Sequence, residues 1–343
     1  MNIDGPDLED RYRRALRLLP GYYRAIWEED MVAALLDSRM TGDEDEDEYV
    51  LEFGRPTWPE VASVVALAAR LYLGGAGAPR RYLAWGQAVR GAVLALLLTH
   101  AIWGVSAILL VARSHRLIGW LPPTPAAGGI WLTVWYAASY CWIVAFLALV
   151  LGHYGVARAF AALAVVGALA VVLQGQLAGE LVSPFASWSY LVLMDFTPVA
   201  AMAAFHQDAP PVPRRPWLLA LPAGYLLVNG PWLALQLTGN GAWLPDNFGL
   251  CCLLVALACL VHVPRAWSSR AGLSTWSLTL TLLAAVVGLE RLTSLSFYPN
   301  NPHLARVGLA ELLIMVAAAA LVAPDASRAP AAIAAPQSRP RLG

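Results

Sequence analysis

The chain contains no lysine, so all 23 of its basic side chains are arginines. Every fixed positive charge is a guanidinium, which hydrogen-bonds phosphate as a planar fork and reaches lipid headgroups from an apolar surface. Charge of either sign is scarce. Only 13% of residues are charged and 59% are hydrophobic, whereas soluble domains carry about a quarter charged. Cysteine is limited to Cys141, Cys251, Cys252 and Cys259, all inside apolar runs and without the spacing or histidine partners of a zinc site. No metal or cofactor is expected from them. A Gly-rich phosphate loop, a Gly-x-Ser-x-Gly elbow and a His-Glu-x-x-His pair are all missing, which removes the commonest signatures of hydrolase, nucleotide-binding and zinc-protease chemistry.

What the sequence has instead is eight long apolar stretches, at about 91–112, 129–151, 156–177, 185–205, 217–237, 247–264, 273–290 and 305–322. The clearest approach the roughly 20 residues that a helix needs to cross a hydrocarbon core of about 30 Å. The fold class this implies is all-α, a polytopic transmembrane bundle of about eight spans. The first fifteen residues are polar and no apolar run precedes residue 86, so a signal peptide is not expected and the N-terminal segment should stay in the cytosol. With that orientation, eleven arginines fall on the cytosolic side: Arg80, Arg81, Arg90, Arg158, Arg214, Arg215, Arg265, Arg270, Arg328, Arg339 and Arg341. Four fall on the other: Arg113, Arg116, Arg291 and Arg306. This is the asymmetry of the positive-inside rule, with both termini cytosolic in a bacterial plasma membrane. Tryptophans at span ends, among them Trp120, Trp131, Trp188, Trp217, Trp243 and Trp267, suit the headgroup boundary. The third span is dense in small residues from Ala161 to Ala170, which predicts close packing and a central position.

The net charge of zero conceals a division. Residues 1–86 hold 16 acids and 10 arginines, and the remainder holds 7 acids and 13 arginines. Leu8, Tyr12, Leu16 and Leu19 recur at helical spacing, and Pro20-Gly21 predicts the end of that helix. A second helix aligns Tyr23, Trp27, Met31 and Leu35 on an apolar face. The acidic run Asp43 to Glu48 is expected to be a solvated loop, because like charges repel. Thr57-x-x-Glu60 forms a capping box for a third helix, with Pro59 in its first turn. Residues 1–82 thus read as a three-helix cytosolic head, 83–323 as the bundle, and 324–343, rich in Ala, Pro, Ser and Arg, as a disordered tail. The head's negative charge argues against nucleic-acid binding.

The order Tyr12, Leu16, Leu19-Pro20, Arg24, Glu28, Leu35, an acidic spacer, Phe53-Gly54-Arg55-Pro56 and Val61-Ala62 resembles the HAAS signalling domain. That family is a cytosolic helical head on bacterial membrane proteins, commonly paired with PadR-type transcription regulators and ABC exporters. The resemblance covers about the first quarter of the chain. It implies a protein-binding or signal-relaying head, with Arg24, Glu28, Gly54 and Pro56 as the matching positions, and it says little about eight spans. Trp27 is a further candidate for partner binding or for packing of the second helix.

At membrane depth, Asp195 stands near the middle of the fourth span, within Leu191-Val-Leu-Met-Asp-Phe-Thr-Pro198. A bare carboxylate there costs about 3 kcal/mol or more, so it must be protonated, paired or facing water. Pro198 cannot donate to the carbonyl of Met194, which leaves that acceptor beside the carboxyl group. His100, Asn229 and Glu311 are candidate partners at similar depth. Either a proton or ligand site or a structural interhelical hydrogen bond would account for the set. Glu311 could equally contact Arg291 or Arg306. Glu290-Arg291 is expected at an exposed boundary, and His206-Gln207-Asp208 in a solvated linker. Three functions stay open: a membrane regulator whose head binds a protein partner, a transporter or ABC exporter permease component using the polar residues, and an enzyme acting on a lipid. The first is the leading expectation.

Overall fold

The computed structural model describes residues 7–334 apart from 41, 76–77, 118–129, 207–208, 238–245, 269–274 and 299, and among the described residues the regular structure is all helical. Four short helices come first: α1 (Leu8–Leu16), α2 (Gly21–Arg39), α3 (Glu44–Phe53) and α4 (Trp58–Tyr72). Asp7 caps α1 by accepting from the Asp10 N–H at 2.7 Å. The Thr57 N–H donates to Glu60 at 2.6 Å at the start of α4, the reach-back arm of the capping box. Leu8, Tyr12, Leu16, Leu19, Val32, Leu35, Val64, Ala68 and Leu71 form one buried cluster, with Tyr23, Met31 and Val50 against it.

Two expectations are corrected here. The acidic run is not a loop, because residues 44–48 are the first turns of α3, where a helix N-terminus favours negative charge and Val50 anchors the helix to the cluster. This segment therefore has four helices, not three. Trp27 is about half exposed while Val32 and Leu35 are buried, so the tryptophan sits on the rim of the apolar face. Arg11 fastens α1 to the turn after α3, donating to the Phe53 carbonyl at 3.1 Å and to the Gly54 carbonyl. A side chain at Gly54 would meet the Val50 carbonyl. Pro56, in the same turn, is half-buried. Arg24 and Glu28 pair at 3.7 Å, a partly solvated i,i+4 contact of small worth.

The long helices follow: α5 (Arg80–Ser114), α6 (Ile130–Leu151) and α7 (Tyr154–Ala178), then a segmented stretch of α8 (Pro184–Tyr190), a π turn (Leu191–Phe196), α9 (Thr197–Ala201) and a 3₁₀ turn (Met202–Ala204). After it run α10 (Arg214–Leu237), α11 (Asn247–Ser268), α12 (Thr275–Ser294) and α13 (Pro302–Ala334). Five helical stretches are long and apolar enough to cross a membrane: Arg80–Ser114, Ile130–Leu151, Tyr154–Ala178, Thr275–Phe297 and Pro302–Ser327. The outward faces of these helices and of α10 and α11 are apolar. Leu163, Val166 and Leu177 on α7, Leu219, Leu226 and Leu227 on α10, Leu257 and Val261 on α11, and Leu313, Ile314 and Val316 on α13 are all exposed. So much contiguous apolar surface suits lipid and not water. The chain is a helical membrane protein.

The centre is α5, not the helix of the third span. One of its sides shares a cluster with α6, α7 and Met202–Phe205, and another packs against the π turn and α12. The small residues Ala157, Ala161 and Ala164 of α7 are buried, and Gly167 approaches Ala138 of α6, but the opposite face of α7 is bare. Small residues on one stripe secure one neighbour. At 35 residues and a rise of about 1.5 Å each, α5 extends ~52 Å, so it begins before the apolar stretch and the expected boundary at 82 falls inside a helix. The expected disorder from 324 is also corrected, since α13 continues to Ala334. Ala326 explains part of this, being buried against Ala88 and Leu278. Trp120, Trp243, Arg270, Gln207 and Asp208 lie outside the described residues.

Candidate functional site

The fourth apolar stretch is the least regular helix in the bundle. Ser183 caps α8 by accepting from the Ala186 N–H at 3.2 Å. After α8 the chain widens into the π turn, where the Thr197 N–H reaches back five residues to the Val192 carbonyl and the Thr197 hydroxyl donates to the same oxygen at 2.7 Å. Pro198 follows at once, without an N–H for Met194. The widened turn buries Leu191, Met194 and Asp195 together, and π turns of this length concentrate at functional positions.

His100 of α5 meets that turn. Its Nε2 lies 2.9 Å from the Met194 carbonyl and 3.7 Å from the Asp195 carboxylate. A carbonyl only accepts, so this nitrogen carries the proton. The imidazole stacks on Trp142 with centroids 4.5 Å apart and meets the edge of Trp103 at 5.6 Å, which fixes its plane. His100 and Asp195 are each 3% exposed.

Glu290 of α12 is a second buried carboxyl, 2% exposed and within electrostatic reach of Asp195. One of its oxygens lies 3.5 Å from the Thr293 hydroxyl, and among the described residues the other has no hydrogen-bond partner. Tyr190, partly buried at this level, senses the charge of both carboxyls and of Cys251 electrostatically. An imidazole and a carboxyl group thus meet between α5 and the π turn, with a second carboxyl and a phenol in electrostatic range. Buried ionisable groups of this kind are each able to hold a proton. Among the described residues no three His, Cys, Asp or Glu side chains come together as metal ligands.

The other two sequence candidates stand apart from it. Asn229 of α10 accepts from the Ser106 hydroxyl at 3.1 Å and donates to the Tyr225 carbonyl at 3.3 Å, tying α10 to α5. Glu311 pairs with Arg291, which also holds Asp246 at 2.8 Å, and Asp246 accepts from the Tyr298 hydroxyl. Gly249 leaves the space that the Glu311 carboxylate fills. This second cluster clamps α11, α12 and α13.

The expectation that Glu290 and Arg291 lie on an exposed boundary is corrected, for both are 2% exposed. The signal was present in the spacing. Leu280, Leu283, Ala284, Val287, Glu290, Arg291 and Ser294 are all buried on α12, and the same helical period extended past residue 290 carries the buried face through the charged pair.

No protein-family model, curated protein or solved structure matches this chain.

Proposed function

We propose that the protein is a transport component of a bacterial plasma membrane, crossing the bilayer eight times, in which His100, Asp195 and Glu290 hold an exchangeable proton. The observation that carries this reading is the buried Glu290 oxygen, without a hydrogen-bond partner among the described residues, in electrostatic range of the buried Asp195. An inert anchor has no need of two ionisable carboxyl groups at membrane depth, and such groups mark ion and proton paths. The segmented helix beside them has the form of the discontinuous helices that line transport sites. Eight crossings follow if the segment 184–204, α10 and α11 join the five long helices. Contacts at the helix ends support the alternation. Arg214 donates to the Leu151 carbonyl at 3.1 Å and Arg158 to the Phe205 carbonyl at 2.7 Å, near the end where α4 meets α5. At the opposite end the Ser183 and Ser296 hydroxyls lie 2.7 Å apart.

Infrared difference spectra of the purified full-length protein, taken between neutral and mildly acid pH, test the site. Protonated carboxyl bands that change with pH should weaken in both Asp195→Asn and Glu290→Gln. Spectra identical to the wild type in both variants would refute the proton site. Reporter tags at both termini test the crossings, and opposite sides would refute the even number.

A second reading, regulation through the N-terminal helices, is favoured by Ile26, Trp27, Tyr49, Phe53 and Trp58, all exposed on the segment that resembles a HAAS domain. Partner binding by the full-length protein should be lost in Trp27→Ala with the fold intact. Binding that survives this substitution would place the contact elsewhere.

A further inference from the structure

Among the described residues, Arg90 is a buried guanidinium with no carboxylate beside it. It stands at the start of the apolar part of α5, is 7% exposed, and its Nη1 has no hydrogen-bond partner. A guanidinium keeps its charge in a protein, and a buried, uncompensated charge costs several kcal/mol. Two other arginines point to the same place. Burial first, and then the guanidiniums of Arg70, Arg90 and Arg158, hold the His206 imidazole below its usual range, which puts all three arginines within electrostatic reach of one ring. Arg158 is anchored by the Met202 and Phe205 carbonyls at 3.2 and 2.7 Å, and its side chain is otherwise open. Tyr154 lies within reach of Arg90 and packs on Phe205 with ring centroids 5.8 Å apart. Among the described residues, no carboxylate pairs with Arg90 or Arg158.

Depth in the bilayer identifies what belongs there. Arg90 immediately precedes the first apolar stretch, and Trp217 and Trp276, which open α10 and α12, pair at 6.5 Å at the same end of the bundle. Aromatic residues at helix ends mark the headgroup level, where basic pockets between helices take phosphate-bearing headgroups. The guanidinium fork matches two phosphate oxygens.

We propose that Arg90 and Arg158, at the junction of α4, α5, α7 and the Met202–Ala204 turn, bind a phosphate oxyanion. The oxyanion comes from an anionic lipid headgroup or from free phosphate. Its residues are other than His100, Asp195 and Glu290, so this site and the proton site can fail separately.

The test uses the full-length protein in a nonionic detergent, with thermal unfolding followed by tryptophan fluorescence. Dihexanoyl phosphatidylglycerol and inorganic phosphate are titrated separately at constant ionic strength. Saturable stabilisation by the lipid alone assigns the site to a headgroup, and equal saturable stabilisation by inorganic phosphate assigns it to the free ion. In either case Arg90→Gln should weaken the response roughly tenfold or more, the scale of a lost hydrogen bond between charged groups. Arg158→Gln, at an exposed side chain, should weaken it in the same direction and serves if Arg90→Gln does not fold. Stabilisation by neither probe, or wild-type affinity in the folded variants, would overturn the proposal.

Discussion

The His100 imidazole donates its Nε2 proton to the carbonyl of Met194 in the π turn, four residues before Pro198, which has no N–H to offer it. Two helices are joined by a defect in one of them. The same nitrogen faces Asp195 at 3.7 Å, so one ring both serves a buried carbonyl and stands beside a buried carboxyl group. Stacking on Trp142 holds the ring in the plane from which it does both.

Separating those two roles gives the first prediction. His100→Phe preserves an aromatic ring against Trp142 but removes the donor, leaving the Met194 carbonyl and Asp195 without it. Loss of about 1–3 kcal/mol is expected, the cost of unsatisfied buried polar groups. It would appear as a lower unfolding midpoint in detergent. His100→Ala, which also opens a cavity, should fall further. A midpoint for His100→Phe equal to the wild type would mean that stacking alone matters.

The Met194 acceptor was legible in the sequence because it follows from proline chemistry alone, and so was the helical class, since runs of apolar residues need no partner to be read. Glu290 was not read as buried because the apolar stretch was ended at the first charge, although the burial period of α12 continues through it. The α3 helix was missed for a related reason. Repulsion among acids was weighed, and their favourable placement at a helix N-terminus was not. The separation of Asn229 and Glu311 from Asp195 depends on which helices are neighbours, and similar depth in the membrane carries no information about that.

Arg291 is the hinge pin of the second polar cluster. Removing it as Arg291→Met leaves Glu311, 6% exposed, as a buried carboxylate with no counter-ion, and a cost of about 3–5 kcal/mol is expected. The double substitution Arg291→Met with Glu311→Met should recover most of the loss, because the remaining Asp246 is partly solvated. Unfolding midpoints of the two variants and of Glu311→Met complete the cycle. A double variant no more stable than Arg291→Met would show that the guanidinium acts through Asp246 instead.

Acid should loosen the N-terminal helices through Glu60. Burial pushes this carboxyl up, but the Thr57 N–H and the Arg39 guanidinium at 2.8 Å outweigh burial and hold it below its usual range. A carboxyl that is more acidic in the folded chain contributes stability fully above its unfolded value, about 4.3, and loses it as pH falls through the folded value. Amide protection of α4 in the full-length protein, corrected for intrinsic exchange, should therefore fall below about pH 4.3. In Glu60→Gln protection should be lower at neutral pH and change less with acid. Identical pH profiles would exclude Glu60 as the cause.

Gly86 sets how closely the N-terminal helices approach the bundle. A Cβ there would run into the Leu73 carbonyl, and this neighbour is backbone and cannot rotate away. Tyr82, one turn earlier on α5, packs between Tyr22 and Tyr72 at 5.6 Å from each, so displacing α5 from the end of α4 also disturbs that aromatic contact. Gly86→Ala should cost about 1–3 kcal/mol as overpacking. Gly155→Ala is the matched control, because nothing stands within 4 Å of its Cβ position, and there the lower entropy of alanine in the unfolded chain should leave stability equal or slightly higher. With no lysine in the chain, trypsin cuts only after arginine, and Arg80 and Arg81 are exposed beside this junction. Cleavage there should accelerate in Gly86→Ala and remain at the wild-type rate in Gly155→Ala, whereas equal rates in all three proteins would mean that the close approach does not hold the junction shut.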